Sequence, residues 1–350
     1  MTKVLIVDDS AVVRKILTEE LSRHEDIVVA GSAPDPYVAR DKIAILKPDV
    51  ITLDLEMPRM DGLTFLSKLM AHYPIPVVIV TSFSETSRKL AVKALEMGAI
   101  DVVEKPQLAN STAEFISSLT RAIRTAAASK VSKFIAPYES APAKKDHRPL
   151  KNFKSSHRII AIGASTGGPQ AIETILKALP RNVPAMVMVQ HMPEKFTEYY
   201  AKRLNEVCAM EVREAKDFDQ LSSGLALLAP GGKHMIIKRN NNDYYVRVKD
   251  GPMVHHQKPS VDVLFESVAA SAGENAAGVI LTGMGSDGAR GLLLMKSAGC
   301  YTVAQDEATS MVFGMPKEAI ALDAASRILP LERIAPALIK HFDISFSAAS

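Results

Sequence analysis

The chain has little cysteine and no long apolar run. Only two of its 350 residues are cysteines, Cys208 and Cys300, which is too few for a disulfide framework. No apolar stretch approaches the ~20 residues that a membrane-spanning helix needs. The first apolar stretch is followed at once by Asp8 and Asp9, which does not fit a signal peptide. We therefore expect a protein of the reducing cytoplasm, without membrane insertion.

A strong net charge is also missing. The formal net charge is +3, and the basic excess lies in one segment, residues 125–158, where only Glu139 and Asp146 oppose it. The basic residues of this segment are Lys130, Lys133, Lys144, Lys145, Arg148, Lys151, Lys154 and Arg158. The rest of the chain is slightly acidic, so the charge does not require a nucleic-acid-binding face, and we expect no nucleic-acid partner.

Two stretches of the chain alternate short apolar strands with helical periodicity, which is typical of α/β domains built on parallel sheets. The first stretch predicts a helix at residues 12–21 and strands at residues 4–7, 50–53, 77–80 and 100–103. The second predicts helices at residues 197–204 and 289–298, and strands at residues 159–162, 185–189, 225–228, 278–281 and 301–304. We predict two α/β domains, residues 1–124 and 157–347, joined by a basic Ala/Ser/Lys/Pro-rich linker at residues 125–156.

Polar side chains follow the predicted strands of the first domain. Asp8 and Asp9 follow one strand, Asp54 follows a second, and Thr81 and Lys105 follow two more. Because the carboxyl ends of parallel strands share one edge of the sheet, these side chains should lie together. Three carboxylates there call for a hard cation such as Mg²⁺, and the set predicts phosphoryl transfer to Asp54. The alternative, that Asp9 or Ser10 merely caps the next helix, leaves Asp54, Thr81 and Lys105 without an explanation.

The motifs around these residues resemble a response-regulator receiver domain over nearly all of residues 1–124. They are Val7-Asp8-Asp9-Ser10, Asp54-Leu55-Glu56-Met57-Pro58-Arg59-Met60-Asp61-Gly62, Thr81 and Lys105-Pro106. The resemblance implies a flavodoxin-like, doubly wound parallel sheet, with Mg²⁺ bound by Asp9, Asp54 and the backbone of Glu56, and by Asp8 through water. It also implies phosphoryl contacts from Thr81 and Lys105 and a cis Lys105–Pro106 bond. One position departs from many receivers: Val102 stands where they carry an aromatic residue, three positions before the lysine.

A glycine-rich turn opens the second domain, and it has two interpretations. The segment Gly163-Ala164-Ser165-Thr166-Gly167-Gly168-Pro169 follows a predicted strand and begins a helix. As a dinucleotide-binding loop it lacks the second glycine, which is Ser165, and the next strand ends in Gln190-His191 instead of an acid. As G-x-S-x-G it predicts Ser165 to be a nucleophile on a sharp turn, with helical N–H groups facing the developing negative charge. By itself Ser165 could equally be a helix cap.

Two further strand ends could supply the partners of a nucleophilic serine. His191 follows one strand, where a general base would be needed. Asp287 follows another, within Thr282-Gly283-Met284-Gly285-Ser286-Asp287-Gly288, and its carboxylate could accept the Nδ1 proton of His191. Asp306 is a rival for this role, and Asp287 could instead cap a helix. The chain order serine, histidine, aspartate differs from that of the α/β-hydrolases.

From residue 159 onward the chain resembles the catalytic domain of chemotaxis protein-glutamate methylesterases, the CheB family. The resemblance rests on residues 162–169, 189–193, 259–264, 281–288 and 313–316. It implies a Rossmann-like, mostly parallel α/β domain in which Ser165 is the nucleophile, His191 the base and Asp287 the orienting acid. The backbone N–H of Met284 would be an oxyanion donor, and no cofactor is implied at this site.

The same resemblance implies a phosphorylation-activated serine esterase with two kinds of partner. Its substrates would be glutamate methyl esters on the cytoplasmic helices of chemoreceptors, and it allows deamidation of receptor glutamines. A chemotaxis histidine kinase would supply the phosphoryl group to Asp54, which we expect to raise the esterase activity. A transcriptional output and a nucleotide-binding output are the alternatives. The first would need a helix-turn-helix and a basic output domain, and the second conflicts with Ser165 and His191.

Overall fold

The computed structural model describes residues 1–106, 112–129, 157–241 and 243–344. The chain forms two compact units, and the described residues up to 129 belong to one and those from 157 onward to the other. Most of the predicted basic linker lies outside the described residues. None of the helices in the described ranges combines the length and the apolar character needed to cross a membrane.

The first unit alternates strands and helices along the whole of its length. Its elements are β1 (Thr2–Val7), α1 (Ala11–Leu21), β2 (Ile27–Ala33), α2 (Pro36–Leu46), β3 (Val50–Leu53), α3 (Gly62–His72), β4 (Val77–Thr81), α4 (Glu85–Glu96), β5 (Asp101–Glu104) and α5 (Thr112–Ala127). The strands form one parallel sheet in the order β2-β1-β3-β4-β5. This order confirms the flavodoxin-like, doubly wound fold that the receiver motifs predicted.

Burial explains which strands of the first unit were predictable. Every residue of β3 and β4 is buried, because helices cover both faces of the sheet, and such strands appear in the sequence as continuous apolar runs. The edge strand β2 was missed, because its central residues, including Gly31 and Ser32, are only half-buried and form no apolar run. Residue 124, the predicted end of the domain, lies within α5, which continues to Ala127.

The second unit contains more elements than the sequence predicted. They are β6 (Ile159–Ala164), α6 (Gly168–Ala178), β7 (Ala185–Gln190), α7 (Phe196–Val207), β8 (Glu211–Glu214), β9 (Leu225–Leu228), β10 (His234–Asn240), β11 (Asp243–Lys249), α8 (Val261–Ala272), β12 (Ala276–Ile280), α9 (Ala289–Ser297), β13 (Tyr301–Gln305), α10 (Met315–Ala321), β14 (Arg327–Leu329) and α11 (Leu331–Phe342). Seven strands form a parallel sheet in the order β14-β13-β12-β6-β7-β9-β8. The mostly parallel α/β architecture is therefore confirmed.

The position of β6 in this sheet determines where the site forms. Ile160 of β6 pairs with Ala277 of β12 on one side and with Met186 of β7 on the other. Because all three strands are parallel, the segments that follow them emerge side by side at one edge. Ser165, His191 and Asp287 lie in these three segments.

The antiparallel hairpin β10–β11 is the largest element that the sequence analysis missed. It stands apart from the parallel sheet and packs on α8, where the amide of Ile237 donates to Ser267 Oγ at 2.9 Å. Met235, Ile237, Tyr244 and Val246 are all buried in the hydrophobic core that this packing creates. The alternation of buried and exposed positions in β10 and β11 is short, which made the hairpin hard to recognise.

Candidate active site and phosphoryl-acceptor site

The predicted carboxylates of the first unit meet at the carboxyl edge of its sheet. Asp8 and Asp54 follow β1 and β3, and both are buried. The ammonium group of Lys105 lies 2.8 Å from Asp8 Oδ2 and 2.5 Å from Asp54 Oδ2. One carboxylate oxygen from each of Asp8, Asp9 and Asp54 lies within 4.8 Å of the others, with Asp9 at the exposed side. Three converging hard oxygen ligands fit a cation such as Mg²⁺.

Burial and charge act together on the pKa values of this cluster. Burial raises the pKa of Asp54, and the negative charge of Asp8 adds to this effect, although Lys105 opposes both. Burial alone would lower the pKa of Lys105, but the Asp54 and Asp8 carboxylates outweigh it and hold this pKa above its ordinary value. The lysine therefore stays charged, while Asp54 is a buried carboxylate whose negative charge is only partly compensated.

Thr81 and Glu56 also lie where the receiver motifs predicted. The hydroxyl of Thr81 is fully buried, and no hydrogen-bond partner for it is found in the described part of the chain. The amide of Glu56 donates to Asp54 Oδ1 at 3.3 Å, and its side chain accepts a hydrogen bond from Ser82 Oγ at 2.7 Å. The backbone of Glu56 therefore lies beside the carboxylate of Asp54. Ser10, and not Asp9, caps α1.

Two expectations concerned the end of β5: the isomer of the Lys105–Pro106 bond and the residue at position 102. The expectation of a cis Lys105–Pro106 bond was wrong. The cis peptide bond found within the described ranges is Lys258–Pro259. The two isomers of an X–Pro bond differ by only about 0.5–1 kcal/mol, so the residue pair alone does not decide between them.

Val102 is buried. Nearby, the guanidinium of Arg88 lies 4.1 Å from the ring centre of Phe83 and 3.2 Å from the Glu104 carboxylate.

In the second unit, Ser165 lies on the turn between β6 and α6. Its amide donates to the carbonyl of Thr282 at 3.0 Å, and its own carbonyl accepts from the amide of Gly168 at 2.8 Å. Gly167, with a φ of +76°, is the residue that caps α6. The alternative interpretation of Ser165 as a helix cap is therefore wrong, and its half-buried side chain is not used for capping.

His191 and Asp287 form a direct hydrogen-bonded pair. The distance from His191 Nε2 to Asp287 Oδ2 is 2.8 Å, and both side chains are at least 95% buried, with exposed fractions of 5% and 2%. The expectation that Asp287 would accept the Nδ1 proton was wrong. Nε2 is the ring nitrogen farther from the backbone, and Asp287 follows β12, which lies beyond β6 from the strand that carries His191. The buried Nδ1 has no hydrogen-bond partner among the described residues.

Asp287 is held by the N-terminus of α8. Its carboxylate accepts from Ser260 Oγ at 2.7 Å, from the amide of Val261 at 2.7 Å and from the amide of Asp262 at 3.0 Å. Burial acts to raise the pKa of Asp287, but the hydrogen bonds from His191, Asp262 and Ser260 outweigh it and hold the pKa below its ordinary value. The carboxylate is thus kept ionised inside the fold, where the helix N-terminus favours a negative charge.

The two alternatives for the acid residue are resolved by these contacts. Asp287 does not cap α9, which begins after Gly288 without a side-chain cap. The rival Asp306 binds Thr309 instead: its Oδ1 accepts from the amide of Thr309 at 3.0 Å and from the hydroxyl of Thr309 at 2.6 Å. Asp287 is therefore the acid that the structure pairs with His191.

Met284 lies in a glycine-flanked loop directly beside the serine. Gly283 is packed so closely that a Cβ atom on it would lie 2.6 Å from Ser165 Cβ. Met284 itself is 47% exposed, and Gly285 has a φ of +93° with open space around it. Such a loop brings backbone groups next to Ser165 and leaves room for a substrate above them.

Sequence reasoning missed the residues that support this arrangement. Gln190 and Thr282 each precede a motif residue and contact the Ser165 turn, and Ser260 contacts Asp287. His255 also supports this region, since its Nε2 lies 3.0 Å from Asp262 Oδ2 beside Asp287. Gln190, Ser260 and Thr282 lie inside the stretches that carry the family resemblance, but their roles could not be predicted, because they act through contacts between distant segments.

The match to known families agrees with this geometry. Residues 160–338 match the family model described as CheB methylesterase, and residues 4–116 match the response regulator receiver domain. The chain belongs to the CheB methylesterase family. It therefore combines a receiver domain with a CheB methylesterase domain, which excludes the dinucleotide-binding and transcriptional alternatives.

Relatives in the CheB family match nearly the whole chain. Protein-glutamate methylesterase/protein-glutamine glutaminase 2 of Syntrophus aciditrophicus is 52% identical over 339 residues, covering 97% of this chain and 98% of the relative. Protein-glutamate methylesterase/protein-glutamine glutaminase 1 of Pseudomonas savastanoi pv. phaseolicola is 52% identical over 349 residues, covering 96% and 98%. The crystal structure of the Thermotoga maritima CheB methylesterase catalytic domain is 36% identical, with a TM-score of 0.51 over 52% of this chain and 97% of that chain.

Proposed function

We propose that Ser165, His191 and Asp287 hydrolyse glutamate methyl esters on the cytoplasmic helices of chemoreceptors, under the control of phosphorylation at Asp54. The observation that carries this proposal is the buried His191–Asp287 pair at 2.8 Å, which leaves Nδ1 as the ring nitrogen that can serve Ser165. The names of the relatives supply the substrate class. The protein acts in the cytoplasm, where these receptor helices and the kinase are found.

The proposed reaction begins with proton transfer from Ser165. Asp287 fixes the proton of His191 on Nε2, so Nδ1 carries the lone pair and accepts the proton of Ser165 Oγ. Oγ then attacks the ester carbonyl, and the backbone N–H of Met284 stabilises the oxyanion. The tetrahedral intermediate collapses as His191 returns the proton to the leaving methoxide, which departs as methanol.

Hydrolysis of the acyl-enzyme completes the cycle. Water attacks the acyl carbonyl while Nδ1 of His191 takes one of its protons, and that proton returns to Ser165 Oγ as the free glutamate leaves. A glutamine amide presents the same carbonyl, with ammonia as the leaving group. The same three residues therefore also carry out the deamidation that the relatives' names record.

In the receiver, Asp54 accepts a phosphoryl group from the histidine of a chemotaxis kinase. Asp8, Asp9, Asp54 and the backbone carbonyl of Glu56 would hold Mg²⁺, which neutralises the developing charge when bound. Lys105 and Thr81 contact the transferred phosphoryl oxygens, since the ammonium already faces Asp54 and the buried hydroxyl of Thr81 has no partner in the described residues. We place the receiver at residues 1–124, the linker at 125–156 and the methylesterase domain at 157–347.

The decisive experiment measures methanol release from methylated receptor membranes by the full chain, with and without a small phosphodonor. Ser165→Ala should abolish methanol release and leave phosphorylation of Asp54 intact, whereas Ser297→Ala, a serine on α9 that bonds the backbone, should behave like the unaltered protein. Asp54→Asn should retain basal release and lose its stimulation. Methanol release by Ser165→Ala at the unaltered rate would reject the proposal.

A further inference from the structure

Two buried side chains outside the Ser–His–Asp set hold the turn that carries Ser165. Gln190 reaches it from the β7 side and Thr282 from the β12 side. We propose that Gln190 and Thr282 are positioning residues, which set the place of Ser165 relative to His191 and to the loop that contains Met284. This inference rests on the proposed function, because it concerns how the groups that carry out that reaction are held in place.

Gln190 connects the backbone of the nucleophile to that of the base. Its Nε2 donates to the carbonyl of Ser165 at 2.8 Å and to the carbonyl of His191 at 3.0 Å. The side chain is 98% buried, since only 2% of it is exposed, and the amide of His191 also donates to the carbonyl of Ala164 at 3.0 Å. One side-chain amide group therefore joins the segment after β6, which carries Ser165, to the segment after β7, which carries His191.

The other half of the same amide argues for a functional role. Gln190 Oε1 is buried and has no hydrogen-bond partner in the described residues. It cannot exchange places with Nε2, because it would then face two carbonyl oxygens. A buried acceptor without a partner costs about 1–3 kcal/mol, which offsets the stability that the two donations of Nε2 supply. The glutamine is therefore better explained by the two donations to the catalytic turns than by stability.

Thr282 holds the opposite side of the turn through both its backbone and its side chain. Its carbonyl accepts from the amide of Ser165 at 3.0 Å, and its Oγ1 donates to the carbonyl of Thr166 at 2.9 Å. The same Oγ1 accepts from the amide of Val312 at 3.0 Å. Thr282 is 1% exposed and immediately precedes Gly283, which packs on Ser165. One hydroxyl thus ties the nucleophile turn to the loop that leads to Asp287.

These contacts matter because the reaction depends on small distances. Ser165 Oγ must come within hydrogen-bond reach of His191 Nδ1 and stand in line with the ester carbonyl. A displacement of about 1 Å can reduce the rate about 100-fold. Gln190 and Thr282 restrain the turn from its two neighbouring strands, so loss of either restraint should slow the chemical step and leave substrate binding unchanged.

The test compares Thr282→Val, which removes the hydroxyl, with Thr282→Ser, which keeps it, and includes Gln190→Met. Steady-state methanol release from methylated receptor membranes should show kcat reduced about 10- to 100-fold in Thr282→Val and Gln190→Met, with KM nearly unchanged. Thr282→Ser should recover most of kcat. Gln190→Met removes an acceptor that has no partner but also two donations to backbone carbonyls, so its unfolding temperature should change little while kcat falls.

Thr302→Val is the matched control. Thr302 is also fully buried in this sheet, and its hydroxyl lies 2.9 Å from Ser326 Oγ, away from the serine turn. Equal losses of kcat in Thr302→Val and Thr282→Val, or full kcat in both Gln190→Met and Thr282→Val, would overturn the inference. Ser165→Ala in the same assay separates the two proposals: if it is inactive while Gln190→Met and Thr282→Val are fully active, only the positioning inference fails. If Thr282→Val does not fold, Gln190→Met decides the question.

Discussion

His191 donates through Nε2 to Oδ2 of Asp287 at 2.8 Å, and its buried Nδ1 is left without a hydrogen-bond partner among the described residues. The pair is almost fully enclosed, so the imidazole has one orientation and one favoured tautomer. Nδ1, the nitrogen nearer the backbone, is then the one that we propose serves Ser165. This arrangement leads to specific expectations for the residues on either side of it.

Asp287→Asn should reduce kcat for methanol release about a thousandfold or more, because an amide cannot both accept from the α8 N-terminus and hold the proton on Nε2. Asp306→Asn is the control, since Asp306 binds Thr309 and not His191. Assays of the two variants on the same receptor membranes would settle the role of the acid. A larger loss in Asp306→Asn would contradict the assignment of Asp287.

The pH dependence of stability should also report on Asp287. Its pKa in the folded state is held below the ordinary value of 3.8, so its ionised form stabilises the fold above that pH. This contribution is lost as the pH falls from 3.8 through the lowered pKa. Calorimetry of the full chain between pH 3 and 7 should show a shallower acid loss in Asp287→Asn. Parallel curves for the two proteins would refute this.

Asp54→Asn should stabilise the receiver at neutral pH when no divalent cation is present. Because the pKa of Asp54 is raised in the fold, its ionised form opposes folding, and this cost grows as the pH rises from 3.8 through the raised pKa. The gain should appear at pH 7 as a higher unfolding temperature of Asp54→Asn in calorimetry. Below pH 3.5 the gain should disappear.

Added Mg²⁺ should act in the opposite sense. It should raise the unfolding temperature of the unaltered protein, with a gain of about 1.4 kcal/mol at ten times its dissociation constant. Asp54→Asn removes one of the three converging carboxylates and should lose most of this gain. An equal Mg²⁺ effect in both proteins would place the cation elsewhere.

Thr81 and Thr52 form a matched pair for separating stability from phosphorylation. Both hydroxyls are buried without a hydrogen-bond partner among the described residues. Thr81→Val and Thr52→Val should each raise the free energy of unfolding by about 1 kcal/mol, because each removes an unsatisfied polar atom. Only Thr81→Val should change the extent or lifetime of Asp54 phosphorylation with a small phosphodonor, as followed on phosphate-affinity gels. A similar change in Thr52→Val would remove the special role of Thr81.

Gly283→Ala should reduce methanol release at least about 100-fold, since the new Cβ would overlap Met315 Sδ and lie 2.6 Å from Ser165 Cβ, which displaces the nucleophile. Gly251→Ala serves as the comparison, because its Cβ would approach only the His234 side chain, at 3.3 Å. Both variants should keep normal phosphorylation of Asp54. Unaltered activity in Gly283→Ala would show that the turn can yield without loss of function.

The sequence by itself determined the strands that carry chemistry. Runs such as residues 4–7 and 77–80 are apolar throughout because both faces of a parallel sheet are covered, and the polar residue that follows each run, Asp8 or Thr81, must then lie at the sheet edge. That reasoning predicted Asp54 as the phosphoryl acceptor, but it left Ser165 open between cap and nucleophile and Asp306 as a rival of Asp287. The resemblance to the CheB family then selected Ser165, His191 and Asp287. The sequence analysis missed β2, β8, β14 and the β10–β11 hairpin, whose residues are only partly buried or lie outside the sheet.

Only the tertiary structure decided how these residues meet. The strand order places β6 between β7 and β12, which makes Nε2 the nitrogen of His191 that reaches Asp287. The N-terminus of α8 keeps Asp287 ionised, although Ser260 and Asp262 follow no strand that pointed to them. Gln190 and Thr282 matter through hydrogen bonds to a turn far away in sequence. A residue pattern records the faces and ends of single elements, whereas such contacts depend on how the elements pack.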